Sequence, residues 1–222
     1  MRVAFVSANL GGMEQPVQHA PQRLPADVHV SWHQYDDVSF PPRPRSMTPR
    51  MQAKIPKVFA WKLLPGYDAY VWLDASFALK EDALNTLLAH LEMADMVMFA
   101  HPSRSSVAAE VQFLTKRLSG RYMRSGYIKD RYADEWADAQ LAAYVADPAF
   151  IDNRLFACGC FAYRATPAVQ ALMNEWWWHI SLYHVNDQLS FPYVLAKSRV
   201  AVSVINEDIY KCSFLTYMRG DR

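Results

Sequence analysis

Lys57-Val-Phe-Ala-Trp-Lys-Leu-Leu-Pro-Gly-Tyr-Asp-Ala-Tyr-Val-Trp-Leu-Asp74 is the stretch on which the fold turns. Its first half belongs to a run, Met51 to Leu64, whose apolar positions return at helical spacing until Pro65-Gly66 stops them. Its second half, Ala69 to Leu73, is a compact apolar strand that ends abruptly at Asp74. The same alternation continues on both sides. Upstream, Arg2 to Ser7 reads as a buried strand closed by the turn Asn9-Leu10-Gly11-Gly12, and Val28 to Gln34 alternates as a second strand. Pro41 to Pro49 holds four prolines and is irregular. Downstream, the pattern predicts a helix over 81–93, a strand over 96–100 and mostly helix over 103–146, with a polar interruption at 119–126. A strand over 156–163, helices over 167–183 and 187–195, and a last strand over 200–205 follow. Strands alternating with helices predict a three-layer α/β sandwich of the Rossmann-like kind around a mostly parallel sheet. Sites in such folds lie at the carboxyl ends of the strands, here Ser7 to Gly12, Asp74 to Ser76 and His101 to Arg104.

The bulk properties narrow the function classes. A length of 222 residues suits one domain, 1–222, and a composition 52% hydrophobic and 20% charged is that of a globular protein. A net charge of +1 excludes a general polycation. The apolar run at the N-terminus is too short for a signal peptide, and no stretch approaches the roughly 18–20 apolar residues that span a bilayer. Cys158, Cys160 and Cys212 are odd in number and lack zinc-site spacing, so they read as reduced core thiols. A cytoplasmic protein is expected.

Several residues carry chemistry. An acid placed directly after a buried strand is costly unless its charge is used, and a hard cation held between Asp74 and a diphosphate is one such use; a backbone-capping role is the other. Asp187 and Gln188 open a helix, where a carboxylate and an amide can grip sugar hydroxyls or simply cap it. His101 and Arg104 follow a strand, with Glu110 placed to orient Arg104 or to form a structural ion pair. Two basic stretches, 43–62 and 116–131, read as solvated faces, as neutralising groups for a diphosphate, or as a nucleic-acid contact. Trp176, Trp177 and Trp178 point about 100° apart on a helix, so at least one is core, and Trp177 and Trp178 read as packing.

These elements together resemble the mucilage-related glycosyltransferase-like family, within the glycogenin-like nucleotide-diphospho-sugar transferases. The resemblance rests on Lys54-Ile-Pro-Lys57, Trp72-Leu-Asp74, His101-Pro-Ser-Arg104 with Glu110, Asn174-Glu-Trp176 and Asn186-Asp-Gln-Leu-Ser-Phe191, in the family's order over about two thirds of the chain. Lys57 stands 17 residues before Asp74, the spacing of the basic residue that precedes the family's Asp-x-Asp motif. The resemblance implies a GT-A type domain that moves a sugar from a nucleotide-diphosphate sugar to a glycan-type or other acceptor hydroxyl. In such a domain the turn Ser7 to Gly11, with Ser7, Ala8 and Asn9, is expected to approach the nucleotide, since its glycine allows close backbone contact. Lys57, and Lys62 near it along the chain, would face the diphosphate, with Asp74 and Ser76 near the ribose or an Mn²⁺ or Mg²⁺ ion. Asp187 and Gln188 would then position the sugar as catalytic residues, with His101, Arg104 and Glu110 on the sugar or acceptor side. The glycogenin-like resemblance leans towards retention of configuration; for an inverting reaction Asp187 is the candidate base. The chain departs from the pattern in three places. Ser76 replaces the second acid of the motif, Asn186 stands where Arg is frequent, and no histidine follows His184. A non-catalytic nucleotide-sugar or glycan binding module with the same fold, and a transferase acting on modified nucleic acid, are the alternative readings.

Overall fold

The computed structural model describes residues 1–118, 132 and 135–219. The chain runs β1 (Arg2–Ala8), β2 (His29–Tyr35), α1 (Pro49–Leu63), β3 (Ala69–Leu73), β4 (Phe77–Leu79), α2 (Ala83–Leu91), β5 (Met96–Ala100) and α3 (Val107–Leu118). It continues through α4 (Ala137–Val145), β6 (Phe156–Tyr163), α5 (Pro167–Leu182), α6 (Asp187–Ala196), β7 (Val202–Ile205) and β8 (Leu215–Tyr217). The elements read from periodicity are present, most ends moved by a residue or two; within the stretch read as mostly helical over 103–146, the described helices are α3 and α4. The polar interruption read at 119–126 lies outside the described residues.

A six-stranded sheet has the order β2-β1-β3-β6-β5-β7. β1 pairs in parallel with β2 and β3, and β5 with β7, while β6 runs antiparallel to both β3 and β5. The sheet is therefore mostly parallel, with β6 alone reversed. A second sheet, β4 paired with β8, has only three residues in each strand, too few for a period-2 signal, and the sequence pattern did not predict it.

The central strands β1, β3, β5 and β6 are buried at successive positions, and the sheet is covered on both faces. On one face Phe5, Val71, Leu73, Val97 and Phe99 pack against Leu84, Leu87 and Leu91 of α2 and against Phe77 and Leu215 of the small sheet. On the other, Ala4, Val6, Tyr70, Trp72 and Met98 pack against Val58 of α1, Leu172, Met173 and Trp176 of α5, and Phe191 of α6. A third cluster joins Val107, Val111 and Leu114 of α3 to Tyr144 of α4 and Leu189 of α6. All three cysteines are free and buried.

The start of α1 is set locally. The Thr48 hydroxyl accepts from the Met51 N–H and Pro49 occupies the first helical turn, where its missing N–H is harmless. Pro56 sits inside the same helix, and the backbone departs from helical geometry at Phe59. Because β1, β3 and β5 are parallel, Ala8, Asp74 and His101 emerge at one edge of the sheet. The start of reversed β6 joins them there, where the Gly159 carbonyl accepts the Asp74 N–H at 2.7 Å.

Gly11 and Gly12 both hold positive φ, but for different reasons. A Cβ on Gly11 would stand 2.7 Å from Pro49 Cβ, so the turn after β1 closes against the first residue of α1; at Gly12 the space is open. The sequence expectation placed this close glycine approach at a nucleotide, whereas here it is made to Pro49. Gly11→Ala is therefore expected to cost more stability than Gly12→Ala, about 2–4 kcal/mol against about 1 kcal/mol, in urea unfolding at neutral pH.

Candidate functional site

A cleft of about 700 Å³ opens at the edge where β1, β3 and β5 end. Arg50, Lys54 and Lys57 recur on α1 at intervals of four and three, which puts them on one stripe, and all three line the cleft. The N-terminal residues of α1 and of α6 line it as well, and α1 has no acid in its first turn to offset its positive end.

The centre of the site is an ion cluster. Lys57 Nζ lies 3.1 Å from Asp74 Oδ1 and 2.7 Å from Asp187 Oδ2, and Lys54 Nζ lies 2.6 Å from the same Asp187 oxygen. The Lys57 side chain is 2% exposed and that of Asp187 5%, while that of Asp74 is 41% exposed. Trp72 Nε1 donates to Asp74 Oδ1 at 2.7 Å, and Trp176 Nε1 donates to the Asp187 carbonyl at 3.0 Å. Burial pushes the Asp187 carboxyl up, but the ammonium groups of Lys54 and Lys57 outweigh it and hold the group at about 2. Burial pushes Lys57 down, and Asp187 and Asp74 outweigh that, so its ammonium is held above the ordinary lysine range.

A second network stands beside the first. Arg104 Nε donates to Glu110 Oε2, and Asn186 Nδ2 donates to Glu110 Oε1 at 3.2 Å, so buried Glu110 ties the turn after β5 to the cap of α6. Asn186 in turn caps α6 through the Gln188 N–H. The ring of His101 takes the backbone N–H groups of Ser103 and Arg104 on Nδ1. Burial first, then the Arg104 charge, push His101 down to about 4, so it is neutral at neutral pH. Gln188 lines the cleft, and its Oε1 is buried with no hydrogen-bond partner among the described residues.

Ala8, Asn9, Lys57, Asp74, Ser76, His101, Arg104, Glu110, Asp187 and Gln188 thus all line one cleft, although they span nearly the whole chain. Two of the expected residues do not. Ser7 is buried within β1. Lys62 follows Lys57 by five residues, about 140° round an ideal helix, and bonds Asn174 Oδ1 at 3.0 Å on α5. Asn9 also has a structural duty: its side chain bonds the backbone of Glu14 in both directions and shapes the loop. Trp176 is the core member of the tryptophan run, and Trp178, read as packing, is 58% exposed. The basic stretch 43–62 is not one face, because Arg43 pairs with Asp37, Lys54 and Lys57 are in the cleft, and Lys62 bonds Asn174 of α5. Of the stretch 116–131, residues 119–131 lie outside the described residues.

Sequence reasoning missed Trp72, Arg50, Tyr210, Tyr217 and Arg219 as lining residues. The tryptophan lies within the quoted Trp72-Leu-Asp74 motif and Arg50 on the stripe of Lys54 and Lys57, so both were open to reading. The last three depend on the short β4–β8 sheet, which brings the end of the described chain over the cleft.

The residues at Asp74 do not fit a divalent metal. Position 76 offers a serine, Asp74 Oδ1 is taken by Trp72 and Lys57, and among the described residues no group of three or more His, Cys, Asp or Glu could hold an ion.

A family model described as TOD1/MUCI70, glycosyltransferase-like domain, matches residues 44–217. The chain belongs to this glycosyltransferase-like family. No curated protein matches it. Two solved structures are similar in fold. One is the apo WbbM bifunctional glycosyltransferase, with a TM-score of 0.52 at 14% identity, covering 91% of this chain and 38% of that one. The other is apo mouse xyloside xylosyltransferase 1, with a TM-score of 0.50 at 11% identity, covering 92% of this chain and 85% of that one. The chain thus spans well under half of the WbbM protein. The fold is that of the GT-A glycosyltransferases, as the three-layer reading expected. Among the described residues no helix is long and apolar enough to cross a membrane. The TOD1/MUCI70 match covers the α1 stripe, Asp74, Glu110 and Asp187, and leaves outside it Ala8, Asn9 and Glu14 on the β1 side of the cleft.

Asp187→Asn leaves two lysines around a neutral amide, so it is expected to lower stability by about 3–5 kcal/mol in urea unfolding at pH 7. The carboxylate is held below its ordinary value of 3.8, so its contribution is complete above that pH and vanishes as pH falls towards about 2. The gap between wild type and variant should close over that interval. A constant gap would mean that charge is not its source.

Proposed function

We propose that this chain transfers a glycosyl group from a nucleotide-diphosphate sugar to an acceptor hydroxyl of glycan type. The observation that carries the reading is the cationic stripe of Arg50, Lys54 and Lys57 running from the N-terminus of α1 into the edge where the strands end. Helix N-termini and fixed ammonium groups are well suited to phosphate. Lys54 uses one N–H on Asp187 and Lys57 uses two on Asp187 and Asp74, which leaves two donors on Lys54 and one on Lys57 for phosphate oxygens.

In the reaction, the bond from the anomeric carbon to the diphosphate oxygen breaks and its electron pair leaves with the phosphate. A bond forms from the same carbon to the acceptor oxygen, which gives up its proton. Lys54 and Lys57 meet the charge that grows on the departing oxygen, and because they are already fixed, no reorganisation is needed at that moment. Asp74, the most exposed of the cluster's carboxylates, is assigned to the ribose hydroxyls of the donor. Gln188, with its unpartnered amide oxygen, is assigned to a sugar hydroxyl.

Asp187 is assigned a positioning role. A carboxylate held at about 2 and covered by two ammonium groups is a weak proton acceptor near neutral pH. A reaction that retains configuration needs no dedicated base. Arg104, oriented by Glu110, and neutral His101 stand beside the transferred sugar or the acceptor.

Thermal unfolding against UDP-, GDP- and CDP-sugars tests the donor site. One of them is expected to stabilise the protein, by about 2.7 kcal/mol at a hundredfold excess over Kd. Lys54→Met should weaken that binding about tenfold or more. Stabilisation by none of them would reject the donor-site reading, and stabilisation with no transfer to any glycan acceptor would point to a binding module.

A further inference from the structure

We infer that donor binding in this cleft needs no divalent cation, because the Lys57 ammonium occupies the bridging position between the two carboxylates that would otherwise share one. The inference rests on the donor-site reading above. Among the described residues, Asp74 at the end of β3 and Asp187 at the start of α6 are the carboxylates paired with Lys57, whose Nζ lies 3.1 Å and 2.7 Å from them. A metal bridging the same pair would have to displace that ammonium. The side chain is 2% exposed and its helix is packed on the sheet, so an ammonium displaced from the two carboxylates would be left buried without its counter-ions. A metal placed on Asp74 alone would share one carboxylate with an ammonium, which repels it, and would find Ser76 rather than a second acid.

Charge balance points the same way. The described lining carries six cationic side chains, Arg50, Lys54, Lys57, Arg104, Arg117 and Arg219, against the carboxylates Glu14, Asp74, Glu110 and Asp187. An excess of cationic over anionic side chains on the described lining suits an anionic diphosphate. The protein's own tethered cations thus meet the diphosphate, and lysine, as a compact point charge, suits that role.

Calorimetric titration with UDP, GDP and CDP, each in excess EDTA and again with Mn²⁺, tests the inference on wild type and on Ser76→Asp. In wild type the affinity for the preferred nucleotide should be the same within about twofold in both buffers. Ser76→Asp restores a second acid beside Asp74 and should gain about tenfold or more from Mn²⁺, with thermal unfolding confirming that it folds. Lys57→Met should lose affinity in EDTA and recover part of it with Mn²⁺. Wild-type binding that appears only with Mn²⁺, or tightens about tenfold with it, overturns the inference and leaves the donor site standing. No binding of any nucleotide in either buffer overturns the donor site and the inference with it.

Discussion

The Lys57 ammonium, buried between Asp74 and Asp187, is the interaction from which the rest of the site follows. A lysine removed from water must be paired, and here its partners come from two elements far apart in sequence. Lys57 rises from α1, Asp74 ends β3 and Asp187 begins α6, so one charged group sets the spacing of a helix, a strand end and a second helix. Two tryptophans lock the arrangement. Trp72 holds Asp74 through its side-chain oxygen, and Trp176, fully buried in α5, holds the backbone of Asp187. Both indoles also pack in the core on that face of the sheet, so the position of the carboxylates is tied to apolar packing.

A second bridge repeats the device with opposite sign. Glu110 is a buried anion that takes Arg104 on one oxygen and the cap residue of α6 on the other. The helix that presents Asp187 is therefore held from two sides, by lysines of α1 and by a glutamate of α3. Its N-terminus faces a cleft whose charges are all placed by folding. Neutral His101 completes this wall without adding charge, since burial and Arg104 keep its proton off.

Much of this was legible in the sequence, and the failures have physical causes. The apolar runs of β1, β3, β5 and β6 were readable because strands buried on both faces have no polar positions. The reversed direction of β6 was not, because an apolar run has no polarity of its own. Lys57 and Asp74 were found through their spacing and a family resemblance. Lys62 was grouped with them by proximity along the chain, although five residues of helix turn it away and α5 claims it. The importance of Lys54 and Asp187 as partners of one another could not be read, since 133 residues separate them. Gly11 was read as a residue of close approach to a nucleotide, and the neighbour its missing Cβ admits is Pro49 of the protein.

The ion cluster is hard to explain by stability. Apolar side chains of similar volume are at least as stabilising as a buried ion pair, because desolvation offsets most of the attraction. Packing around Trp72, Trp176 and Phe191 would be served as well by leucines at 54, 57 and 187. Leucines would not supply fixed positive charge at the carboxyl edge of a GT-A sheet. Groups whose titration is displaced by burial and by specific partners gather where chemistry is done. Asp187, held low by two lysines, serves as their counter-ion: with Asp74 it holds Lys57 above the ordinary lysine range, and it offsets part of the burial that draws Lys54 below it. In this cleft the carboxylate does its work by remaining ionised, and the lysines by remaining where it holds them.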